Sequence, residues 1–266
     1  MKEIPQLGLG TWQNTDPEKC VKSVKTALDM GYNHIDTAQA YENEKHVGKG
    51  LRESEKDRED YFLATKVWID RLNHEDVIES TEESLNKLGV DKADLLYVHW
   101  PARDYEPEET MKAFNQLVEE EKIENIGVSN FSPDQIEEAQ EHADTKILAN
   151  QVEMHPLLQQ EELVEYCQDN DMYLVAYSPL ARGKVMDVPE IQEIADKHDV
   201  SAAQVSLAWI THHDNVVAIP KASSEDHIRD NYRSLDLELD EEDIEKINSI
   251  EREDRKVDPD FGKGWD

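Results

Sequence analysis

Apolar residues along the chain come in short runs, separated by longer stretches in which they recur at helical spacing. The runs are LGLGTW at 7–12, HID near 34, YFLATK at 61–66, ADLLYVHW at 93–100, IENIGVS at 123–129, KILANQV at 146–152, MYLVAYS at 172–178 and VVAIPK at 216–221. Each has the length of a strand and is apolar almost throughout, as strands are when both faces of their sheet are covered. Between them the period becomes helical: Val21, Val24 and Leu28 follow Asp16-Pro17, while Val77, Ile78, Thr81, Leu85 and Leu88 precede Gly89. Asp16 has N-cap chemistry with Pro17 at the first helical position, Gly31 ends that helix, and Ser132-Pro133 opens another.

Strands alternating with helices in eight units predict an α/β fold, a (β/α)8 TIM barrel with an extra C-terminal helix. The competing architecture is an open doubly wound sheet. LGLG at 7–10 supports it weakly, because Thr11-Trp12-Gln13-Asn14 stands where a dinucleotide fingerprint would continue to its last glycine and helix. No repeat beyond the βα unit and no Gly/Ser linker interrupts the pattern, so residues 1–266 read as one domain. Helical patterns near 224–233 and 240–252 lead into EREDRKVDPDFGKGWD, which is expected to pack across one barrel end.

The polar positions are mostly acidic. The 266 residues carry 61 Asp and Glu against 28 Lys and Arg, a formal charge of −33, which excludes nucleic acid and anionic membrane surfaces as partners. These charges fall on helix faces between regular apolar runs and read as a solvated coat rather than as disorder. Such a coat repels itself at low salt, which points to a salt-rich, halophilic cytoplasm. There is no eighteen-residue apolar stretch, and MKEIPQLGLG lacks the regions of a signal peptide, so a cytoplasmic protein without a membrane span is expected. Cys20 and Cys167 fall singly in predicted helices without zinc spacing; no metal site is expected, and both read as small half-buried thiols.

Active sites of such barrels lie where the strands end. The polar residues closing the runs are Asp36, Lys66, His99, Ser129-Asn130, Gln151, Tyr177-Ser178 and Lys221, with Tyr41 five residues after Asp36. A lysine at a buried strand end needs a partner, and Asp36 is the available carboxylate. A tyrosine near that lysine is expected to have its phenolate favoured and its pKa drawn down from about 10, making it a better proton donor to a carbonyl oxygen that His99 helps to orient. Taken singly, an Asp–Lys pair or one histidine is more readily structural; four ionisable groups on consecutive βα units are harder to explain as packing.

GLGTW, HIDTAQAYENEKHVG, ATKVW, DLLYVHWP, IGVSNFS, NQVEMHP, YSPL and IPK resemble the successive motifs of the aldo-keto reductases over nearly the whole chain. The length, IDTAQAYENE and the WD ending are similar to the short bacterial 2,5-diketo-gluconate and methylglyoxal reductase branch. The resemblance implies an oxidoreductase in which Tyr41 is the general acid, Lys66 held by Asp36 tunes it, His99 places the carbonyl, and a nicotinamide cofactor delivers hydride. It also implies that Ser129, Asn130 and Gln151 bind the carboxamide and that Tyr177 stacks on the nicotinamide. By the same resemblance Ser178 and Leu180 meet the pyrophosphate, Lys221 approaches the adenosine phosphate, and Asp230-Asn231 stand at the adenine. Trp12, Trp68 and Trp100 are placed around the substrate mouth; aromatic core plugs are the other reading of each.

The chain departs from the pattern at Ala222 and His227, where the family's NADPH-preferring members carry a serine and an arginine. Lys221 still offers a charge for a 2′-phosphate, so NADPH is the expected cofactor, with NADH or dual use as the alternative. The expected partner is a small carbonyl substrate, bound by a monomer. Two other readings remain: Lys66 as a Schiff-base nucleophile in an aldolase-like barrel, and a cofactor-binding regulatory subunit without turnover.

Overall fold

The computed structural model describes residues 3–262, so the Trp265-Asp266 ending lies outside the described residues. Eight strands form one sheet in chain order: β1 (Leu9–Gly10), β2 (His34–Asp36), β3 (Phe62–Val67), β4 (Leu95–Val98), β5 (Ile126–Ser129), β6 (Ile147–Glu153), β7 (Tyr173–Tyr177) and β8 (Val216–Ala218). Every neighbouring pair is parallel. The ring closes where Leu7 bridges Ala218 and Gly10 bridges Lys221, with the Gly8 N–H donating to the Ala218 carbonyl at 2.8 Å. Closure removes both sheet edges and gives the expected (β/α)8 barrel. Gly10 is required at this seam: a Cβ there would lie 2.6 Å from the Ile219 carbonyl oxygen.

Ile4, Phe62, Ala64, Leu95, Tyr97, Ala149, Val175, Val217 and Ile219 form one apolar cluster. They fill the barrel interior as packed layers. Side chains alternate along a strand, so the residue two positions further on enters the interior one layer higher. That step leads from Ala64 to Lys66, from Tyr97 to His99, from Ala149 to Gln151 and from Ile219 to Lys221. The apolar filling thus gives way to polar groups at the C-terminal ends of the strands.

The helices are α1 (Pro17–Met30), α2 (Glu44–Glu53), α3 (His74–Leu88), α4 (Pro107–Glu119), α5 (Pro133–His142), α6 (Glu161–Asp169), α7 (Pro189–His198), α8 (Ala202–His212), α9 (Glu225–Tyr232) and α10 (Glu241–Asn248). Asp16 caps α1 by accepting the Lys19 N–H at 2.9 Å, and Gly31 ends it at φ 119°. Ser132 and Gln135 form a reciprocal capping box at α5. The sequence predicted one helix beyond the barrel units, α10, whereas β7 and β8 are joined by two. The reason is that α8 is buried nearly all round and needs a further layer, which α7 supplies.

After α10 the tail runs over the barrel's C-terminal end, where the Asp254 N–H donates to the Leu157 carbonyl at 2.8 Å. Among the described residues no helix is long and apolar enough to cross a membrane. Cys20 and Cys167 are fully buried rather than half-buried, and burial pushes their thiols up to about 11 and about 12.

Candidate active site

The polar strand ends surround a cavity of about 890 Å³ at the C-terminal mouth of the barrel. At its base Lys66 and Asp36 are almost wholly buried, and Lys66 Nζ donates to Asp36 Oδ1 at 2.5 Å and to the Thr37 carbonyl at 2.8 Å. The other carboxylate oxygen, Oδ2, accepts Gln151 Nε2 at 2.8 Å. This is the partner that a lysine at a buried strand end requires.

Tyr41 ends a 3-10 turn over Gln39–Tyr41 that carries the chain from β2 to α2. Its ring centre lies 5.3 Å from Lys66 Nζ, and the His99 ring meets it edge-on with centroids 5.8 Å apart. Burial, followed by the negative charge of Asp36 and the neighbouring Tyr177, holds the Tyr41 phenol well above its usual pKa of 10. The expected lowering by Lys66 is therefore reversed. Asp36 and the Thr37 carbonyl already engage the ammonium, and burial lowers the pKa of Lys66 itself. His99 is neutral for the matching reasons: burial first, then the charge of Lys66, hold it well below 6.5. Its Nδ1 is buried without a hydrogen-bond partner among the described residues.

A second polar group adjoins this base. Tyr177 Oη donates to Asn130 Oδ1 at 2.9 Å, and Asn130 Nδ2 donates to Ser129 Oγ at 3.0 Å and to the His99 carbonyl at 3.1 Å. Ser129 Oγ in turn donates to the Gln151 carbonyl at 2.8 Å. Asn130 holds this position at φ 63°, a left-handed conformation that asparagine tolerates better than most residues. One network therefore runs from Tyr177 through Asn130, Ser129 and Gln151 to Asp36 and Lys66.

Ser178, Leu180 and Lys221 extend the lining along the β7 and β8 loops, and Trp12, Trp68 and Trp100 wall the mouth. Lys66 lies beneath the lining rather than in it. Asn231 is buried in α9 and does not line the cavity. The sequence reading omitted Arg182, whose guanidinium stands 4.8 Å from the Trp12 ring centroid across the cavity. It also omitted the wall formed by Val257, Pro259 and Phe261. Their signal was present, as scattered apolar residues within the charged stretch EREDRKVDPDFG.

The model of the Aldo/keto reductase family matches residues 6–252. The chain is an aldo-keto reductase. A glyoxal reductase of Bacillus subtilis (strain 168) is 40% identical to this aldo-keto reductase over 253 residues, 95% of this chain and 91% of the relative. Methylglyoxal reductase DkgB of Escherichia coli O157:H7 is 37% identical over 267 residues, covering 99% of each. A crystal structure provisionally named 2,5-diketo-D-gluconic acid reductase B superposes with a TM-score of 0.94 at 37% identity, over 97% of this chain and 92% of the other. The aldo-keto reductase described here is therefore an oxidoreductase.

Proposed function

We propose that this aldo-keto reductase reduces the aldehyde or ketone group of small molecules, such as methylglyoxal, keto sugars and aromatic or aliphatic aldehydes, to the alcohol. The observation that carries this reading is the meeting of Tyr41 and His99 over the buried Asp36–Lys66 pair, in a cavity walled by indoles. The names of the glyoxal and methylglyoxal reductase relatives support small aldehydes as substrates.

A nicotinamide cofactor, when bound, supplies the hydride. The cleft suits such a group: Tyr177 and Asn130 form a fixed polar edge, and the lining continues past Ser178 and Leu180 to Lys221. Ser129, Asn130 and Gln151 are the groups proposed to hold the carboxamide, and Tyr177 to present the ring. Lys221 lines the rim, where its Nζ donates to Ser223 Oγ at 3.5 Å, and its charge suits a 2′-phosphate, which favours NADPH; Ala222 and His227 leave NADH or dual use as the alternative.

In this reading Tyr41 donates its proton to the carbonyl oxygen. A raised pKa keeps the phenol in the form that can donate, and the alkoxide it protonates is a stronger base than phenolate, so transfer runs downhill. The phenolate left behind faces Lys66. A neutral His99 can offer a ring N–H to the same oxygen without adding a charge. Lys66 lies beneath the lining with its Nζ engaged, which argues against a Schiff-base role. We take the protein to be a cytoplasmic, single-domain monomer.

The test is nicotinamide absorbance at high salt, with NADPH or NADH against methylglyoxal, a keto sugar and an aromatic aldehyde. Substrate-dependent decay is expected, faster with NADPH. A folded protein that binds cofactor without turnover across the panel would replace this reading with the regulatory one.

A further inference from the structure

Glu153 ends β6 two residues beyond Gln151 and has no solvent exposure. Its carboxylate is spent on the tail: Oε1 accepts the Lys256 N–H at 2.6 Å, and Oε2 accepts the Val257 N–H at 2.7 Å. Oε1 also meets His155 Nε2 at 2.9 Å. His155, equally buried, accepts the Leu157 N–H on Nδ1 at 3.2 Å, which fixes the tautomer with its proton on Nε2, so that it donates to Glu153.

These bonds matter because residues 251–259 belong to no helix or strand that would otherwise satisfy their backbone. From the second anchored amide onward, Val257, Pro259 and Phe261 face the cavity. Phe261 meets Trp68 and Trp100 edge-on, with centroids 5.8 and 5.6 Å apart. A buried carboxylate therefore holds the backbone of the segment that completes the aromatic wall of the substrate mouth.

We propose that Glu153 is a specificity-determining positioning residue. Through Lys256 and Val257 it seats the tail wall against Trp68 and Trp100, and so sets the affinity for carbonyl compounds that carry an aromatic or other bulky apolar substituent. The smallest dicarbonyls, which carry no such substituent to lay against this wall, are expected to be indifferent to it. The proposal rests on the carbonyl reductase reading, and its first readout is independent of that reading.

The variant is E153Q, which keeps the side chain's shape but turns an amide N–H toward a backbone N–H. Hydrogen exchange of peptides covering 254–262 is expected to accelerate about tenfold or more, with the barrel strands unchanged. In kinetics, KM for an aromatic aldehyde should rise about tenfold while kcat, KM for methylglyoxal and cofactor affinity stay within about twofold. K256P, which deletes the N–H accepted by Oε1 and leaves the carboxylate and the cavity wall in place, should reproduce the pattern and serves if E153Q does not fold. Unchanged tail exchange, or an equal rise in KM for every substrate, would overturn the proposal. Wild-type protein inactive on all carbonyls would instead overturn the activity, with tail exchange still reporting on the anchor.

Discussion

Lys66 carries its charge at zero solvent exposure, and the geometry around it shows what makes that tolerable: one carboxylate oxygen of Asp36 and one carbonyl oxygen take two of its three protons. A buried pair of this kind is costly to assemble, which agrees with the role proposed for it beneath Tyr41. A second buried ionisable group, His34, sits low in the barrel with Phe62 edge-on at 5.3 Å, and burial holds its pKa down to about 4. Its folded pKa lies below the unfolded value, so its contribution to stability is complete above about pH 6.5 and is lost as pH falls toward about 4. The unfolding free energy of the wild type from urea titrations should therefore fall relative to that of H34L over that window, by a difference on the order of 3 kcal/mol. Parallel pH profiles would contradict it. The catalytic candidates were legible as polar residues closing apolar runs. The direction of the Tyr41 shift was not, because it depends on how Asp36 and burial offset Lys66 in space. Glu153 was missed because it stands one residue past the run expected to end at 152.

Elements were read well where local chemistry decides them. Asp16-Pro17, Gly31 and Ser132-Pro133 mark helix ends by hydrogen bonds that reach only three or four residues, and all three stand as expected. Strand β1 was read as six residues and has two, since its pairing depends on closure against β8 rather than on its own sequence. The helix α7 went unseparated because it is set by what α8 leaves uncovered, a fact of packing. The β7 loop was likewise illegible: Ser178, Ala181, Arg182 and Gly183 all adopt positive φ, although only Gly183 announces it.

For the molecule as a whole, barrel closure follows from eight similar units, while the acidic coat concerns the solvent. The exposed pairs, such as Lys25–Asp29, Lys49–Glu53 and Arg229–Glu225, are screened and do little to balance a formal charge of −33. Repulsion across that coat is expected to weaken with added salt, so the protein should melt higher in about 2 M than in about 0.1 M KCl. Each kcal/mol of relief is worth about 2–4 °C, and a difference of about 5 °C or more is expected; equal midpoints would contradict salt adaptation.

Tyr41 as the proton donor is the central claim, and Y41F tests it most directly because only the hydroxyl is removed. With carbonyl substrate and reduced cofactor, turnover is expected to fall by about 10²- to 10⁴-fold while cofactor affinity, followed by tryptophan fluorescence, stays within about twofold. Turnover near the wild-type rate in Y41F would show that the proton comes from elsewhere.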